Sequence, residues 1–361
     1  MEFNVRQKKV INAEEPKILC LSSAASGKTR VLTERVRVLI EEKDVPAKEI
    51  VAITFTNLAA DEMKKRLGSI AEGMYIGTIH AYAARICYEN NINVQHFIDT
   101  EYFDKILDKA LTISRSHYPK VRHLLIDECQ DLNDLNYRFI NRIPAENIFF
   151  VGDEKQMIYQ FRGASEKELM NIYKDVNYKK YYLIDNYRNA PSIVEFAENF
   201  LASSRHLSPL SNPVKKKRGT VVECPFREAV EELEYSGNWG SWFILGRTNA
   251  QIQEAQRILN EKGIPNISFK KGDFDLDELT ELMASDKVKV LTIHTAKGLE
   301  NKNVIVTGAK LYNEEERRIA YVAATRAENS LYWCPAIVSP RKQVNKKGNI
   351  FAQGNTKVIE F

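Results

Sequence analysis

The chain has 361 residues, of which 44% are hydrophobic and 28% charged, and its net charge is +4. This length can bury two ordinary hydrophobic cores, whereas the small net charge excludes a globally cationic protein and confines any nucleic-acid surface to a local basic groove. The chain contains no run of about 18 apolar residues, which excludes a membrane span, and its five scattered cysteines and its N-terminus without an apolar signal core predict a cytoplasmic protein.

Short apolar strands alternate with polar-faced helices along the chain. In the first half the predicted strands are 18–21, 50–54, 123–126, 147–151 and 181–184. In the second half they are 220–223, 242–245, 287–293, 303–307 and 330–333. The clearest helical windows are 28–41, 57–67, 190–203 and 317–327. Strands that are apolar throughout and are followed by helices indicate buried parallel sheets, so we predict an α/β fold of two halves, 1–180 and 181–361.

A phosphate-binding loop is the first motif that carries chemistry. Residues 22–29 read Ser-Ser-Ala-Ala-Ser-Gly-Lys-Thr between a predicted strand and a predicted helix. Backbone N–H groups of such a loop cradle phosphates, Lys28 would reach the β and γ phosphates of ATP, and the Thr29 hydroxyl would hold Mg²⁺. Ser22 stands where a glycine is usual. Because serine and alanine resist positive φ, we expect the loop to close mostly with right-handed residues.

An acidic pair and a later arginine would complete the ATP site. Asp127 and Glu128 follow the strand 124–126, where one carboxylate can hold Mg²⁺ and its neighbour can deprotonate the attacking water. The alternative is an acidic loop that caps a helix. Arg326 lies in a helix that we expect to begin near Glu315, and it forms either a surface salt bridge or a contact with the γ-phosphate. Where such arginines operate, they raise the rate by about 10³–10⁵-fold.

Taken in order, these segments resemble the motifs of superfamily 1A helicases of the UvrD/Rep/PcrA family. The matching segments are Gln7, 22–30, 54–63, 77–80, 126–131, 151–164, 186–188, 246–250, 292–300 and 316–327. Cys129 stands where the family usually has alanine. The resemblance implies two RecA-like parallel-sheet lobes with ATP bound between them, and an ATP-hydrolysing DNA helicase or single-stranded DNA translocase that moves 3′ to 5′.

The resemblance also implies roles for individual residues at the ATP site. It assigns ATP binding to Gln7, Ser26, Gly27, Lys28, Thr29, Arg30, Tyr187 and Glu300, Mg²⁺ binding to Thr29 and Asp127, and catalysis to Lys28, Glu128, Gln156, Arg188 and Arg326. Tyr187 would stack on the adenine while Gln7 bonds to its edge, and Glu300 would face the ribose. Gln156 would lie between the γ-phosphate and the DNA groove and could couple hydrolysis to strand binding.

A second set of residues would contact single-stranded DNA. The resemblance assigns this role to Phe55, Thr56, Asn57, Thr78, His80, Tyr159, Phe161, Arg162, Thr292 and His294. Stacking of bases on aromatic rings contributes about 1–3 kcal/mol per base with little sequence preference, which suits a motor. Phe161 stands where the family usually has tryptophan, so its stacking area is smaller. Phe55 and Tyr159 have ordinary burial in a core as their alternative, and RNA remains possible as the strand.

The spacing of the motifs indicates that two subdomains of the family are reduced or missing. Between His80 and Asp127 there is room for only a few helices, which predicts a small 1B-like helical insertion near 81–120. Fewer than forty residues separate Asn249 from Val288, which leaves essentially no 2B insertion. ATPase and translocation parts remain intact, whereas unwinding of a duplex by this chain alone stays open. The basic run 215–218 is either a solvated turn or a phosphate contact.

Two functional hypotheses therefore remain. The first is a DNA translocase or helicase that acts on single-stranded or tailed duplex DNA. The second is a DNA-stimulated ATPase that senses DNA ends or single strands and passes its output to a partner such as a nuclease or a repair or defence factor. The compactness of the chain fits the second hypothesis. Examples of such proteins are the small helicase-like subunits of anti-phage systems of the Gabija type.

Overall fold

The computed structural model of the protein describes residues 2–159, 166–204, 206–270 and 274–336, together with the backbone of residues 357–358. The chain divides into two compact units. The first runs through Ile184 and also includes His206–Pro209, and the second comprises Asp185–Arg205 and the chain from Leu210 onward. None of the helices within the described ranges is long and apolar enough to cross a membrane.

The first unit is built on a six-stranded sheet. Its strands are β1 (Lys17–Ser22), β2 (Ile50–Thr54), β3 (Tyr75–Thr78), β4 (Val121–Ile126), β5 (Ala145–Gly152) and β6 (Lys179–Leu183). Its helices are α1 (Val5–Ile11), α2 (Lys28–Arg37), α3 (Asn57–Leu67), α4 (Ile79–Glu89), α5 (Gln95–Asp99), α6 (Phe103–Thr112), α7 (Asp134–Arg142) and α8 (Glu166–Lys174). The strand order is β3-β2-β4-β5-β1-β6, and all the pairings are parallel.

Burial on both faces explains why the strands of this sheet are apolar throughout. Along β1, Leu19 and Leu21 pack into one hydrophobic core, whereas Ile18 and Cys20 pack into another. Successive side chains of a strand point to opposite faces, so a sheet covered on both sides needs an apolar residue at every position. The carboxyl ends of the parallel strands meet at one edge of the sheet, and the loops at that edge carry the motifs.

The second unit contains a seven-stranded sheet and a separate two-stranded one. Its strands are β7 (Asp185–Asn186), β8 (Asn212–Pro213), β9 (Thr220–Glu223), β10 (Trp242–Gly246), β11 (Asn266–Ile267), β12 (Val288–Thr292), β13 (Asn301–Thr307), β14 (Ala327–Cys334) and β15 (Lys357–Val358). Its helices are α9 (Pro191–Asn199), α10 (Phe226–Ser236), α11 (Asn249–Glu261), α12 (Leu276–Ala284) and α13 (Glu314–Ala324). The large sheet has the order β11-β12-β10-β13-β14-β9-β15 and is parallel except at β15, and β7 pairs with β8.

The predicted α/β fold with two parallel-sheet lobes is confirmed, and several boundaries differ from the prediction. The boundary near residue 180 falls inside β6, which belongs to the first sheet because it pairs with β1. Strand β3 was missed, since it is short and contains Gly77. Helix α2 continues after Arg37 as the π-helical segment Val38–Glu42. The α-helices between β3 and β4 are α4, α5 and α6. Between α11 and β12 the structure describes β11 and α12.

Candidate functional site

The phosphate-binding loop joins β1 to α2 and uses two left-handed residues. Gly27 has φ 80° and Ala25 has φ 58°, so the expectation of a mostly right-handed loop is wrong at Ala25. The positive φ favours glycine at position 27, and a Cβ there would lie 3.0 Å from Gln7 Nε2, a contact that a small shift of the Gln7 side chain would relieve. The hydroxyl of Ser22 donates to the carbonyl oxygen of Gly152 at 3.0 Å. This bond ties the loop to the end of β5 and gives serine a role at that position.

Lys28 lies between the two predicted acidic residues. Its Nζ is 2.5 Å from Glu128 Oε1 and 3.5 Å from Asp127 Oδ1. Burial disfavours the charge of the ammonium, but the attraction of Asp127 and Glu128 outweighs it and raises the pKa of Lys28 above its ordinary value. Since β4 ends at Ile126, both carboxylates occupy the carboxyl edge of the sheet, beside the start of α2.

The donors around Lys28 suit a triphosphate with its magnesium ion. The hydroxyls of Ser23 and Ser26 in the loop are buried, and among the described residues they have no hydrogen-bond partner. Such hydroxyls are suitable donors to phosphate oxygens. Mg²⁺ takes hard oxygen ligands, often only one or two from the protein, with water and phosphates supplying the others. Thr29, next to Lys28 in α2, and the buried carboxylate of Asp127 fit that requirement.

Gln7 contacts the phosphate-binding loop from α1. Its backbone N–H donates to Asn4 Oδ1 at 2.8 Å, and the backbone N–H of Asn4 donates to Gln7 Oε1 at 3.0 Å. Its Nε2 donates to the carbonyl oxygen of Ser26 at 3.0 Å. The two hydrogen bonds between Asn4 and Gln7 form a capping box, which fixes the direction of the Gln7 carboxamide. Nearby, the guanidinium of Arg30 lies 4.0 Å from the centroid of the Phe3 ring, a cation–π contact.

Gln130 is a site residue that sequence reasoning missed. It is fully buried, its Nε2 donates to Glu128 Oε2, and its Oε1 accepts from the backbone N–H of Asp153 at 2.9 Å. Asp153 Oδ2 in turn accepts from Gln156 Nε2 at 2.6 Å. Burial raises the pKa of Asp153 to about 6, although the bond from Gln156 opposes the shift. The structure thus joins Glu128 to Gln156 through two buried polar residues.

The predicted nucleotide residues of the second unit fall into two groups. Tyr187 and Arg188 follow β7 and are half-buried. Arg188 Nη2 forms an ion pair with Glu300 Oε2, so two residues far apart in sequence come together. Tyr187 directly precedes Arg188, so these residues and Glu300 form the first group. Arg326 forms the second group and lies in the turn that follows α13.

Arg326 lies after α13 and not within it, which corrects the prediction. The helix begins at Glu314, one residue before the expected start, and ends at Ala324. The hydroxyl of Thr325 donates back to the carbonyl oxygens of Tyr321 and Val322 at 2.9 and 3.1 Å. Side-chain bonds of this kind satisfy carbonyls in the last turn of a helix. The guanidinium of Arg326 donates to Val322 O, Leu299 O and Thr325 Oγ1 at 2.9, 3.3 and 3.2 Å.

Most of the predicted DNA contacts in the first unit follow two neighbouring strands. Thr54 of β2 is in register with Thr78 of β3, so the residues after β2 and those at the end of β3 share one edge of the sheet. Thr56 caps α3 by accepting from Ala59 N at 3.2 Å, and Thr78 caps α4 by accepting from Ala81 N at 3.2 Å. Asn57 opens α3 and is exposed, and Phe55 is half-buried against the core. Two helix N-termini side by side favour contact with phosphates.

His80 lies in the first turn of α4 against α6. Its ring centroid is 5.7 Å from that of Phe103, and its Nε2 is 3.6 Å from Asp104 Oδ1. Burial lowers the pKa of His80 below its ordinary value, although Asp104 opposes the shift. The imidazole is therefore neutral at pH 7 and suits stacking better than an ionic contact.

The remaining predicted DNA residues are spread over both units. Tyr159 is half-buried in the first unit, whereas Phe161 and Arg162 lie outside the described residues. Thr292 ends β12, and its hydroxyl is 2.9 Å from that of Thr295 in the turn that also holds His294.

The basic run 215–218 lies between β8 and β9 in the second unit. Lys215 Nζ is 3.8 Å from Glu328 Oε2, and Arg218 Nη2 is 2.7 Å from Glu195 Oε2. The two lysines between them are exposed. Half of the run is therefore paired within the unit.

Two family models match the chain. The model for the UvrD/REP helicase N-terminal domain matches residues 3–116 and 98–177. The model for the UvrD-like helicase C-terminal domain matches residues 273–335. The first match includes Lys28, Glu128 and Gln156, and the second includes Glu300 and Arg326.

Individual relatives agree with these matches. The chain is 23% identical to a probable DNA helicase of Mycoplasma pneumoniae, over 91% of this chain and 82% of that protein. It is 21% identical to the ATP-dependent DNA helicase PcrA of Staphylococcus aureus, over 91% of this chain but only 58% of PcrA. It is 24% identical to the Gabija protein GajB of Bacillus cereus, over 87% of this chain and 92% of GajB. The chain belongs to the UvrD-like family of ATP-dependent DNA helicases.

Proposed function

We propose that the chain hydrolyses ATP to move along single-stranded DNA in the 3′ to 5′ direction. One observation carries the proposal: Lys28 is paired with Asp127 and Glu128, and Glu128 is joined through Gln130 and Asp153 to Gln156. The first part of this cluster is equipped to cleave a phosphate bond. The second part offers a physical connection between the cleavage site and the segment that leads to Tyr159.

The hydrolytic step follows from the groups around Lys28. The ammonium of Lys28 would neutralise charge on the β and γ phosphates, while the Glu128 carboxylate would accept the proton of the attacking water. Bound Mg²⁺, held by Thr29 and Asp127, would supply positive charge to the phosphate oxygens. Gln130 would hold the Glu128 carboxylate in place through its Nε2 donor.

The remaining nucleotide contacts come from both units in this proposal. Gln7, Arg30 and Tyr187 would hold the adenine, and Glu300 would face the ribose. Arg188 and Arg326 would contact the γ-phosphate. The ion pair of Arg188 with Glu300 supports placing both residues at one nucleotide site, and the hydrogen bonds that fix the Arg326 turn support a positioned arginine. The first unit would then act as lobe 1A with α4 to α6 as a small 1B-like insertion, and the second as lobe 2A without 2B.

The DNA strand would lie along the residues that follow β2 and β3. Phosphates would contact the N-termini of α3 and α4 at Thr56, Asn57 and Thr78. Bases would stack on His80 and on the aromatic residues that the family resemblance assigns to this role: Phe55, Tyr159 and Phe161. Arg162, Thr292 and His294 would contribute further phosphate contacts.

A second candidate function is a DNA-stimulated ATPase that senses DNA and regulates a partner such as a nuclease. The observation that favours it is the extent of the similarity to GajB, which covers 92% of that protein, whereas the similarity to PcrA covers 58% of PcrA. The similarity thus extends over most of GajB and over a smaller share of PcrA.

Strand displacement measured together with ATP turnover distinguishes the two candidates. The substrate is a duplex with a 3′ single-stranded tail, and the matched control is the same duplex with a 5′ tail. A 3′ to 5′ motor is expected to displace the strand of the 3′-tailed duplex alone. Turnover stimulated by both substrates without displacement of either would contradict a motor that unwinds duplex DNA by itself and would leave translocation along the tail or DNA sensing.

A further inference from the structure

Asn189 lies at the centre of a buried hydrogen-bond cluster in the second unit. The side chain is fully buried, and so is that of Asn186 three residues earlier. Asn186 Oδ1 accepts from the backbone N–H groups of Arg188 and Asn189 at 3.1 and 2.9 Å. Asn186 Nδ2 donates to Asn189 Oδ1 at 2.8 Å. The first asparagine therefore fixes the second, together with the backbone that carries Arg188.

The Nδ2 group of Asn189 holds the residues on both sides of Arg326. It donates to the carbonyl oxygen of Thr325 at 3.0 Å and also to that of Ala327. The carbonyl oxygen of Arg326 itself accepts from the backbone N–H of Asn301 at 3.0 Å. Three consecutive carbonyl groups are thus held in place, two of them by one carboxamide.

The orientation of this carboxamide follows from its partners. Carbonyl oxygens can only accept, so Nδ2 must face Thr325 and Ala327, and Oδ1 must face the amide of Asn186. Both N–H groups of Asn189 Nδ2 and its Oδ1 then have a hydrogen-bond partner. A buried network of this kind rigidifies the backbone that it connects. Arg188 adds a weaker link, since its Nη1 is 3.5 Å from the same Thr325 oxygen.

We propose that Asn189 is a positioning residue for ATP hydrolysis: it sets the direction of the Arg326 side chain and holds it in register with Arg188. This inference rests on the proposed contact of Arg326 with the γ-phosphate. A displacement of about 1 Å in a group that orients the reacting atoms can lower a rate by about 10²-fold. Loss of the two Asn189 bonds would release the carbonyl groups on both sides of Arg326, so that the guanidinium would keep its own bonds to Val322, Leu299 and Thr325 but would be held less firmly.

A double-mutant cycle tests the proposal. Asn189→Leu keeps nearly the same shape but removes every polar group, and Arg326→Ala removes the guanidinium. We expect Asn189→Leu to lower kcat by about 10- to 100-fold and to leave KM for ATP within about twofold, because the groups around Lys28 remain intact. In the Arg326→Ala background the same substitution should lower kcat no further.

The matched control is Asn303→Leu, since Asn303 also donates to backbone oxygen in the second unit, at Ser241, but is outside the segments that match the motifs of the family. It should leave kcat unchanged. Asn189→Ser retains one hydroxyl donor and should give an intermediate kcat, which keeps the test valid if the leucine variant melts too low. If Asn189→Leu lowers kcat by the same factor in the Arg326→Ala background as in the wild type, the positioning role of Asn189 is overturned, while the proposed role of Arg326 is not. Unchanged kcat in Arg326→Ala itself would overturn the proposed role of Arg326 as well.

Discussion

Two opposing electrostatic effects act on Lys28. Burial disfavours its charge, whereas Glu128 at 2.5 Å and Asp127 at 3.5 Å stabilise it, and the carboxylates prevail because the pKa is raised. The ammonium therefore remains charged at neutral pH. An incoming γ-phosphate would compete with Glu128 for this ammonium. Release of the Glu128 carboxylate would free it to hold the attacking water.

The substitution Glu128→Gln tests the assignment of the base. We expect kcat to fall by at least about 10²-fold, because an amide cannot accept the proton from water. Binding of ATP and of DNA should persist, since Lys28 keeps Asp127 as a partner. The measurement is steady-state ATP turnover together with nucleotide binding. The control is Glu89→Gln, whose carboxylate pairs with Arg85 at 2.7 Å on the exposed side of α4. Undiminished hydrolysis in the Glu128 variant would contradict the assignment.

The lowered pKa of His80 leads to a second prediction at this scale. Because the imidazole is neutral at pH 7.5, His80→Gln should weaken binding of a single-stranded oligonucleotide without changing its salt dependence. A lost ionic phosphate contact would instead change the slope of log Kobs against log salt by about 0.7. Fluorescence anisotropy across a salt series measures this slope, and His117→Gln on an exposed turn is the control.

The same shift has a consequence for stability. The pKa of His80 is lowered on folding, mainly by burial, so the folded state binds the proton less readily than the unfolded chain does. The contribution of His80 to the free energy of unfolding is present above the pKa of about 6.5 that the residue has in the unfolded chain, and it is lost as pH falls through the lower pKa of the folded state. The difference in melting temperature between the wild type and His80→Gln should therefore change across that window. A difference in melting temperature that stays constant with pH would contradict this prediction.

At the scale of elements, the end of β5 and the turn Cys129–Asp131 pack too closely for any side chain at position 152. A Cβ on Gly152 would lie 2.3 Å from Gln130 Oε1 and 2.7 Å from Cys129 Sγ. The hydrogen bond from Asp153 N to Gln130 requires this approach. Glycine is thus needed here for space, and the contact holds two motifs together.

Gly152→Ala should therefore destabilise the first unit by about 1–3 kcal/mol and lower kcat, because Gln130 must move. Melting temperature and ATP turnover are the measurements. Gly73→Ala is the control, since Gly73 has φ 83° and nothing within 4 Å of a Cβ, so that it isolates backbone strain. It should cost some stability and leave kcat unchanged. An unaltered kcat in Gly152→Ala would show that the packing of the turn does not matter for hydrolysis.

At the scale of the whole molecule, the short insertions and the net charge of +4 limit how the chain can bind DNA. Stacking on aromatic residues requires unpaired bases. We therefore expect a single-stranded oligonucleotide to raise ATP turnover and a blunt duplex of equal length to leave it near the basal rate. The measurement is turnover at saturating ATP over a range of DNA concentrations. Stimulation by the blunt duplex, increasing with the number of ends, would favour the DNA-sensing alternative.

The sequence by itself determined the fold class, most of the strands and the segments that carry the motifs. These features depend on local pattern: apolar runs predict β1, β2 and β4, and a loop before Lys28 or an acidic pair after Ile126 is visible within a few residues. Strand β3 escaped prediction because it is short and contains glycine. The helix boundary at Arg326 was also missed, since it depends on hydroxyl bonds made by Thr325.

Only the tertiary structure decided which polar side chains support the motifs. Gln130 meets Asp153 across 23 positions of the chain, and Asn189 meets Thr325 across 136. Gln130 lies in the motif segment 126–131, but no local pattern shows what it or Asn189 bonds to, because an asparagine or glutamine becomes informative only when it is buried and every one of its polar atoms has a partner. Chemistry that resides in one short segment can be read from the sequence, whereas the orientation of that chemistry depends on contacts that folding brings together.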